Sequence, residues 1–442
     1  MNKQNTHVAV IGGGCAGLSA AAALVEQGIQ VTLFEASSQL GGRARTVAVE
    51  NNSLMHLLDN GQHILLGAYH ETLSLLKKVG IKEQDAILRL PLQINMQTVF
   101  ANSAFSLKSA SYLPAPLNLL VGLLFSNGLS FSERIAAIKL MYKLRRTQYQ
   151  LSKDIPLVQF LLFNDQTEKL TEMLWEPLCL AALNTPIEIA STRIFLNVLK
   201  DSFSGNKRNS DLLLPRQDLS QIISHPVANY IRANGRTIML NRRVRRLVEV
   251  PNGFNLETKD GVQFFSHVII AVSPVRVEKL VVELPKLKRV WEQTQAYAFQ
   301  PIYTIYLQYP QDIQLPSVIS GLNGMTGQWI FDRGQLCGQK GLIAVIISAT
   351  GLHQKMGQDA LALTVAQELH HAYPMLPKPL WHKVIAEKRA TFSCTSDLAR
   401  PTNKTAQPGL FIAGDYTYAD YPATIEGAVR SGIRCAKLLL NS

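Results

Sequence analysis

Residues 7–35 read HVAVIGGGCAGLSAAAALVEQGIQVTLFE, an apolar stretch interrupted near its start by a cluster of glycines. Residues 7–11 are short and continuously apolar, which is typical of a buried parallel strand. Residues 17–27 are rich in Ala and Leu and predict a helix that ends at Gly28. Residues 29–35 predict a second strand. The sequence therefore begins with a β–turn–α–β unit of the kind that opens a parallel sheet.

The turn between the first strand and the helix fits the pattern Gly-x-Gly-x-x-Gly. Gly12 permits the tight turn, Gly14 lets the backbone approach a pyrophosphate, and Gly17 lets the helix pack on the sheet. Cys15 and Ala16 lie at the predicted helix N-terminus, where free N–H groups and the helix dipole favour phosphate. These five residues are predicted to bind a nucleotide.

An acidic residue closes the second strand, 23 positions after Gly12 (35 − 12). The carboxylate of Glu35 would accept hydrogen bonds from the ribose hydroxyls of an adenosine, and its charge would repel a 2′-phosphate. Ala36, which follows it, belongs to the same predicted binding set. The strand, turn, helix and acid together predict a bound dinucleotide, and the alternative is a glycine-rich turn with a purely structural role.

The chain has 442 residues, a formal net charge of +12, 47% hydrophobic residues and 17% charged residues. This composition excludes a disordered chain, a collagen-like repeat and a disulfide scaffold, and the length suggests two or three domains. The five cysteines occur singly, so no metal site is predicted and free thiols in a reducing compartment are expected. Residues 1–6 are polar and lead directly into the first strand, so we expect no cleaved signal peptide.

Regular elements are predicted along the rest of the chain from hydrophobic periodicity and turn residues. Helices are predicted at 71–80, 130–150, 154–183, 359–373 and 425–440, and strands at 237–250, 254–259, 267–272, 302–309, 341–349 and 410–413. No further strand of the nucleotide-binding sheet is evident before about residue 237. We therefore predict one nucleotide-binding domain built from three distant segments, with a second domain inserted between them.

A second glycine motif follows the second strand at Gly41-Gly42-Arg43. It resembles the corresponding motif of FAD-dependent amine oxidases and carotenoid desaturases. The resemblance implies that Gly42 passes close to the cofactor, that Arg43 reaches the pyrophosphate, and that the cofactor is non-covalently bound FAD and not NAD. The alternative is a basic surface turn.

The resemblance continues near the C-terminus, in GLFIAGD (409–415) and PATIEGA (422–428). It implies that Asp415, next to Gly414, binds a ribityl hydroxyl, and the alternative is a helix cap. It places Thr424 and Ile425 at a helix N-terminus directed at the flavin N1/O2 edge, where negative charge collects on reduction. It also places the backbone of Val244 against the adenine.

The resemblance implies an α/β protein with a Rossmann-like FAD-binding domain of the GR2 type. An inserted α+β substrate domain would contain a mixed sheet and a helical, membrane-contacting subregion. The predicted segments are 1–85, 216–285 and 401–442 for FAD binding, 86–215 for a mostly helical substrate and membrane-contact part, and 286–400 for substrate-domain strands and a helix.

The stretch LDNGQHILLGAY (58–69) follows the Arg43 motif, in the segment that distinguishes members of this superfamily. The resemblance implies that it lies against the isoalloxazine ring, with Gly61 and Gln62 next to the ring. With LLLPR (212–216) and PATIEG (422–427), it resembles the hydroxysqualene dehydroxylases of bacterial squalene and hopanoid synthesis. The resemblance implies reductive removal of the hydroxyl of hydroxysqualene, by hydride transfer from reduced flavin N5 to an allylic carbon, giving squalene.

Such a reaction needs a proton donor for a poor leaving group and a dry apolar cavity. His63 is the predicted acid and Asp59 the charge that tunes it, although His63 has the alternative of a structural histidine bound to backbone. Tyr416, Tyr418 and Tyr421 follow Asp415 and could donate a proton or line the cavity. Carotenoid desaturase, carotenoid isomerase and amine oxidase remain alternative activities, as does a nucleotide-binding protein without catalysis.

An apolar patch at 113–129 is followed by a basic helix carrying Arg134, Lys139, Lys143, Arg145 and Arg146. This pattern fits peripheral contact with an anionic membrane, and equally a buried helix with a solvated basic face. The expected partners are a lipophilic C30 isoprenoid, membrane lipid and the prenyl synthases of the squalene pathway. The expected location is cytoplasmic, on the inner face of the bacterial plasma membrane. The arginines around Val244 lack stacking aromatics, so no nucleic acid is expected, and the electron donor is left open.

Overall fold

The computed structural model describes residues 6–51, 53–98 and 105–442. The start of the polar N-terminal stretch, residues 1–5, lies outside the described residues. The described strands are β1 (His7–Ile11), β2 (Gln30–Phe34), β3 (Thr46–Asn51), β4 (Leu54–Asp59), β5 (Leu65–Leu66), β6 (Ile87–Leu90), β7 (Gln93–Thr98), β8 (Phe105–Lys108), β9 (Leu212–Pro215), β10 (Thr237–Met239), β11 (Arg246–Val250), β12 (Gly253–Thr258), β13 (Gly261–Phe265), β14 (His267–Ile270), β15 (Phe299–Gln308), β16 (Ile319–Asn323), β17 (Trp329–Asp332), β18 (Leu342–Ser348), β19 (Trp381–Phe392) and β20 (Leu410–Ile412).

The described α-helices are α1 (Cys15–Glu26), α2 (His70–Lys78), α3 (Glu83–Ala86), α4 (Leu117–Leu124), α5 (Phe131–Arg146), α6 (Leu157–Leu162), α7 (Glu168–Leu170), α8 (Glu176–Leu183), α9 (Thr192–Phe203), α10 (His225–Ala233), α11 (Pro274–Val281), α12 (Lys288–Gln295), α13 (Arg333–Cys337), α14 (Gln358–Ala372) and α15 (Ile425–Leu440). None of these helices has the length and apolar character needed to cross a membrane.

The nucleotide-binding sheet is parallel throughout, with the strand order β10-β2-β1-β14-β20. The N-terminal β–α–β unit supplies its centre, and the later strands add on both sides. The apolar strand β1 is buried on both faces, as parallel sheets require. This is a Rossmann-like sheet, assembled from parts of the chain that are more than 200 residues apart.

The first and last helices of the chain pack closely against each other beside this sheet. The Ser19 hydroxyl on α1 lies 3.3 Å from the Val429 carbonyl oxygen on α15. Gly432 allows the approach, because a Cβ there would overlap the Ala16 carbonyl oxygen. The C-terminal segment is therefore fixed to the N-terminal unit, and both helix N-termini are held at one site.

A mixed seven-stranded sheet forms the second layer, with the order β19-β15-β18-β17-β16-β7-β8. Its strands pair antiparallel except for β16 and β7, which are parallel. The segment 86–215, expected to be mostly helical, contributes β7 and β8 to this sheet, and β6 and β9 to a smaller one. Helices α4 to α9 also lie in this segment, so the substrate part is α+β.

The stretch 237–250, predicted as one strand, is divided between two sheets. Its first part, β10, joins the parallel sheet, and its last part, β11, pairs with β12 in a three-stranded antiparallel sheet. Asn241 separates them with a left-handed backbone at φ 54°. Periodicity alone missed this break, because both parts are equally strand-like in sequence.

Candidate flavin and substrate site

One continuous cavity of about 840 Å³ lies between the parallel sheet and the seven-stranded sheet. Most residues predicted to bind the cofactor line it, namely Gly12, Gly14, Cys15, Ala16, Glu35, Ala36, Gly42, Arg43, Gly61, Gln62, His63, Val244, Gly414, Asp415, Thr424 and Ile425. Tyr416 also lines it, whereas Gly17 and Asp59 do not. The structure thus brings together residues from both ends of the chain.

The glycines of the first turn have distinct structural roles. Gly12 has φ 113°, and a Cβ on it would overlap the Ala271 carbonyl oxygen. A Cβ on Gly17 would overlap the Gly12 carbonyl oxygen, so α1 can approach the turn only with glycine there. A Cβ on Gly14, in contrast, would meet no atom within 4 Å. Gly14 therefore borders empty space at the N-terminus of α1, where a phosphate would lie.

The Glu35 carboxylate stands at the end of β2 beside this turn. One oxygen accepts a hydrogen bond from the Gly13 N–H at 2.7 Å, and the other accepts from the Ser37 N–H at 2.7 Å. Each oxygen retains a lone pair, because a carboxylate can accept about four bonds. Val244, 6% exposed, lines the same end of the cavity. The Glu35 carboxylate could therefore accept further hydrogen bonds from the ribose hydroxyls of an adenosine.

Arg43 and Asp415 form an ion pair within the cavity lining. The Arg43 guanidinium donates to the Asp415 carboxylate at 2.7 Å and to the Ala390 carbonyl oxygen at 2.6 Å. The pair joins the second glycine motif to the segment between β20 and α15.

Burial raises the pKa of the nearby Cys15 thiol to about 11, although Arg43 opposes the rise. That thiol is therefore protonated at neutral pH.

Gln62, in the segment predicted to face the flavin ring, is held by a buried arginine. The Arg333 guanidinium is 1% exposed, donates to the Gln62 side-chain oxygen, and lies 3.7 Å from the Asp218 carboxylate. The Gln62 amide oxygen is thus occupied, and its NH₂ group is the end free for a ligand. Sequence analysis missed Arg333, because it lies 271 residues from Gln62.

Asp59 lies behind the cavity lining and not within it. One carboxylate oxygen accepts from the Leu219 N–H at 3.0 Å, and its backbone carbonyl accepts from the Tyr306 hydroxyl at 2.8 Å. Burial raises the pKa of this carboxyl to about 7, while Arg333 opposes the rise. Among the described hydrogen bonds and ion pairs, none joins Asp59 to His63. The predicted pairing of these two side chains is therefore absent from the structure.

His63 lines the cavity, but its imidazole is engaged with the backbone. Its Nδ1 lies 2.5 Å from the Gly61 carbonyl oxygen, which can only accept, so Nδ1 carries the proton. Burial lowers the pKa of the imidazole, against the effect of the Gly61 bond. His63 is consequently neutral at pH 7, with Nε2 as an acceptor. This geometry favours the alternative of a histidine that positions the Gly61 turn.

The tyrosines after Asp415 differ in their hydrogen bonds. The Tyr416 hydroxyl donates to the Val272 carbonyl oxygen at 3.2 Å. Tyr421 is 1% exposed, lines the cavity, and has a buried hydroxyl oxygen without a hydrogen-bond partner in the described part of the chain. Tyr418 is not part of the cavity lining. Of the two that line the cavity, Tyr421 is the one whose hydroxyl has no partner among the described residues.

The remainder of the cavity is apolar and belongs to the second layer. Residues of α8 and one face of α9 form one wall, and strands of the seven-stranded sheet form the other, with side chains Phe195, Val198, Leu199, Phe203, Ile302, Ile319, Trp329, Phe331 and Ile346. The α9 positions follow the spacing i, i+3, i+4, i+8, a periodicity visible in the sequence. The spacing could have identified the apolar face of α9 from the sequence alone. It could not have shown that this face lines the cavity.

The polar residues that line the cavity fit a flavin dinucleotide. Gly14 leaves room at a helix N-terminus, Glu35 and Val244 mark an adenosine end, and Asp415 offers a carboxylate between them and the apolar part. The N-terminus of α15 begins at Thr424, whose hydroxyl accepts from the Gly427 N–H at 3.0 Å. Among the described residues, no group of His, Cys, Asp and Glu has the arrangement of a metal site.

Comparison with curated proteins finds relatives along the whole chain. The chain is 25% identical to hydroxysqualene dehydroxylase of Zymomonas mobilis, over 99% of each chain, and 26% identical to hydroxysqualene dehydroxylase of Rhodopseudomonas palustris, over 98% of each. It is 23% identical to a probable zeta-carotene desaturase of Synechococcus elongatus, over 98% of each. The carotenoid desaturase is the weaker of these matches.

Solved structures share the fold. A redesigned triple mutant of putrescine oxidase superposes with a TM-score of 0.76 at 15% identity, over 99% of each chain. The model of the family described as flavin containing amine oxidoreductase matches residues 15–440. The second glycine motif, the Arg43–Asp415 pair and most of the cavity lining lie within this match, and the chain belongs to the flavin-containing amine oxidoreductase family.

Proposed function

We propose that this protein is an FAD-dependent oxidoreductase that removes the hydroxyl of hydroxysqualene reductively to give squalene. The observation that carries the proposal is the apolar cavity that continues from the flavin site between α9 and the seven-stranded sheet. Its walls suit a long hydrocarbon, because burying apolar surface contributes roughly 25 cal/mol per Å². The hydroxysqualene dehydroxylases that match both ends of the chain support this choice of substrate.

FAD would lie in the cavity without a covalent link. Gly14, Cys15 and Ala16 would face the pyrophosphate, and Arg43, which lines the same cavity, would contribute positive charge to it. When bound, the flavin supplies two electrons as a hydride at N5.

The chain's own residues would perform three tasks in this reaction. The apolar walls around Leu199 and Phe331 would hold the substrate and exclude water, so that the allylic carbon receives hydride and not hydroxide. The N-terminus of α15 at Ile425 would stabilise negative charge at the flavin N1/O2 edge. A third group must give a proton to the leaving hydroxyl, because hydroxide is a poor leaving group.

The test is a single turnover under anaerobic conditions. The flavin of the purified protein is reduced with dithionite, detergent-solubilised hydroxysqualene is added, and flavin reoxidation is followed by absorbance while squalene is measured by mass spectrometry. We expect reoxidation with an equal amount of squalene. A flavin that stays reduced, with no squalene formed, would reject the proposal.

Carotenoid desaturation is the second candidate, because a probable zeta-carotene desaturase matches the whole chain. The two activities differ in the direction of electron flow: a desaturase reduces its flavin with the substrate, whereas the proposed dehydroxylase oxidises it. Mixing the oxidised protein anaerobically with zeta-carotene therefore tests the alternative. Flavin bleaching with this carotenoid, and none of the expected squalene above, would favour the desaturase.

We also propose that a membrane surface delivers the substrate. Four large apolar side chains near α4 are exposed, and they are Tyr112, Leu117, Phe125 and Phe131. The basic face of α5 follows them, with the exposed Lys143, Arg145 and Arg146. Exposed apolar groups followed along the chain by exposed basic groups fit the interfacial region of an anionic bilayer. Contact there would let a C30 substrate enter without crossing water.

A further inference from the structure

Gln62 lies where the segment expected to face the flavin meets the apolar wall of the cavity. A Cβ on its neighbour Gly61 would come 3.7 Å from the Thr304 hydroxyl oxygen on β15. Ile302, two positions before Thr304 on the same face of that strand, lines the cavity. Gln62 also lines the cavity and is 8% exposed. Its side chain is therefore placed at the boundary between the flavin end and the space for a hydrocarbon.

A buried arginine determines which way the Gln62 amide points. Arg333 is 1% exposed, and its guanidinium donates to the Gln62 side-chain oxygen. Because a guanidinium has only N–H donors and no acceptor, the amide oxygen must face it and the NH₂ group must point away. The opposite orientation would place donors against donors inside the protein.

The arginine is itself held on its other sides. Its Nε donates to the Gln339 side-chain oxygen at 2.5 Å, and another of its nitrogens lies 3.7 Å from the Asp218 carboxylate. The Tyr306 ring lies beside the guanidinium, with its centroid 5.7 Å from the guanidinium carbon. Arg333 is therefore fixed in place, and it holds the Gln62 amide in one orientation.

The NH₂ group of Gln62 is open to the cavity. Its nitrogen makes no hydrogen bond within the part of the chain that the structure describes. Unlike the Tyr421 hydroxyl oxygen, this nitrogen is not fully buried, and it belongs to a side chain of the cavity lining. A hydrogen-bond donor is thus presented to the molecule that occupies the cavity.

We propose that the Gln62 NH₂ group, oriented by Arg333, donates a hydrogen bond to the hydroxyl oxygen of the substrate and so selects the alcohol over a hydrocarbon. This inference rests on the proposed dehydroxylase function. A hydrocarbon in the same space would displace water from the N–H and leave it unpaired, whereas an alcohol oxygen would satisfy it. The product squalene lacks this oxygen, so the same group favours its release. The bond binds and orients the hydroxyl, and no proton is transferred.

The experiment measures binding to the oxidised holoprotein, which has no hydride to give and leaves the ligand intact. Squalene, hydroxysqualene and the ketone formed by oxidising that alcohol are titrated in detergent, and the change in flavin absorbance gives each dissociation constant. The ketone oxygen only accepts hydrogen bonds, whereas the alcohol also donates. The preference is the dissociation constant of squalene divided by that of the oxygenated ligand. Comparing preferences between proteins cancels the unequal partitioning of the ligands into detergent.

Two substitutions of Gln62 test the donor. Gln62→Met has a similar shape but no donor, so both preferences should fall about tenfold, the effect of a single hydrogen bond. Gln62→Glu keeps an oxygen for Arg333, which covers a Gln62→Met protein that fails to fold. Its second carboxylate oxygen replaces the NH₂ group, so the preference for the ketone should fall at least as far. The alcohol should lose less, because its own O–H can donate to the carboxylate.

The matched control is Gln335→Met, on α13 but outside the cavity lining. The Gln335 amide donates to the Leu315 carbonyl oxygen at 2.7 Å, so this variant also loses a hydrogen bond of a half-buried glutamine. Both preferences should equal those of the parent. Flavin content should be the same in all of these proteins.

Arg333, as a positioning residue, is tested through the same ratio. Arg333→Gln is combined with Asp218→Asn, so that the carboxylate beside the guanidinium is not left without its cation. Both preferences should fall, because the Gln62 amide can then present either end to the cavity. Arg333→Lys keeps a cation that only donates and should retain more of the preference. Parent preferences in the double variant would reject Arg333 as the positioning residue.

The outcomes separate this inference from the function on which it rests. Parent protein that forms no squalene in the anaerobic turnover would reject the dehydroxylase, and the inference with it. Parent protein that forms squalene, with unchanged preferences in Gln62→Met or an unchanged ketone preference in Gln62→Glu, would reject Gln62 alone. Equal weakening of all three ligands would also reject it, because a structural role does not distinguish an oxygen from a hydrocarbon. Loss of preference with a normal control would support the assignment.

Discussion

The Arg43 guanidinium binds the Asp415 carboxylate at 2.7 Å, although 372 residues separate the two in sequence. Each belongs to a motif expected to contact the flavin, one after β2 and one after β20. The ion pair therefore joins these two motifs directly. Arg43 also holds the Ala390 carbonyl oxygen of β19, which connects the site to the second layer.

Replacing this arginine should weaken flavin binding. We expect Arg43→Gln to raise the dissociation constant of the flavin by about tenfold or more, because charge-assisted bonds contribute about 1.5–3 kcal/mol each. Flavin retained per polypeptide after dialysis measures the effect. Arg389→Gln, on an exposed neighbour of Ala390, is the control and should bind flavin as the parent does. Equal flavin retention by all three proteins would show that Arg43 does not contribute to flavin binding.

Two alanine substitutions in the first turn should separate folding from cofactor binding. Gly17→Ala places a Cβ against the Gly12 carbonyl oxygen and should destabilise the fold by about 1–3 kcal/mol. Gly14→Ala meets no protein atom, so the stability of the flavin-free protein should change by less than about 1 kcal/mol. Its methyl group should nevertheless block a phosphate and abolish flavin retention.

Chemical denaturation of the flavin-free proteins, with flavin content measured separately, tests both expectations. A stable, flavin-bound Gly17→Ala protein would contradict the packing role of Gly17. A Gly14→Ala protein that retains flavin would show that the phosphates lie elsewhere.

Asp59 should make the stability depend on pH. Its pKa of about 7 lies above the value of 3.8 for an unperturbed carboxyl, so the folded chain holds a proton that the unfolded chain releases between these values. The free energy of unfolding should fall as the pH rises through this window, by a few kcal/mol at most, since each pKa unit corresponds to about 1.4 kcal/mol. Asp59→Asn should reduce this slope.

Urea denaturation at intervals between pH 4 and pH 8 measures the slope. The exposed Asp312 is the matched site, and Asp312→Asn should leave the slope of the parent unchanged. Some slope should persist in Asp59→Asn, because burial also raises the pKa of Asp218 beside Arg333. An identical slope in the parent and in Asp59→Asn would contradict a raised pKa at Asp59.

The proposed membrane surface can be tested by replacing Leu117, Phe125 and Phe131 together with serine. We expect at least about tenfold weaker co-sedimentation with vesicles that contain anionic phospholipid, and unchanged flavin content. The exposed Val262 and Phe264 of β13 form the control, because they are apolar but distant from the basic helix in sequence. Loss of binding in both variants, or in neither, would reject a specific surface at α4.

The structure also changes which residues of α4 suit this test. Sequence analysis treated the apolar patch at 113–129 as one unit and left open whether it meets lipid or is buried. Leu119 and Leu123 are buried, and Gly122 packs against the Lys108 carbonyl oxygen of β8. Serine at Leu123 would therefore disturb the core, whatever its effect on membrane binding. The buried half of α4 follows helical periodicity, but periodicity does not say which half faces inward.

Local sequence determined the nucleotide-binding unit. The limits of β1, α1 and β2 lie within two residues of those predicted, because an apolar strand, a glycine turn and an Ala-rich helix each specify their conformation without distant partners. The glycine at position 28 ends α1 with φ 77°, as its position indicated. The glycine turn and the acid after β2 predicted the residues at the N-terminus of α1, whereas the resemblance to flavoenzymes supplied the other predicted residues that line the cavity.

Tertiary structure decided the roles of the polar side chains near the cavity. Sequence analysis paired Asp59 with His63 because both fall in the segment predicted to face the flavin, yet the Asp59 carboxylate binds the Leu219 N–H near Arg333, while His63 bonds to Gly61. The Tyr421 phenol, which is buried without a hydrogen-bond partner among the described residues, and the Arg430 guanidinium against its ring depend on contacts between α15, α9 and the loop before α2. Short-range conformational preferences are determined by neighbouring residues. Burial, charge pairing and a buried hydroxyl without a hydrogen-bond partner arise only when distant segments pack together.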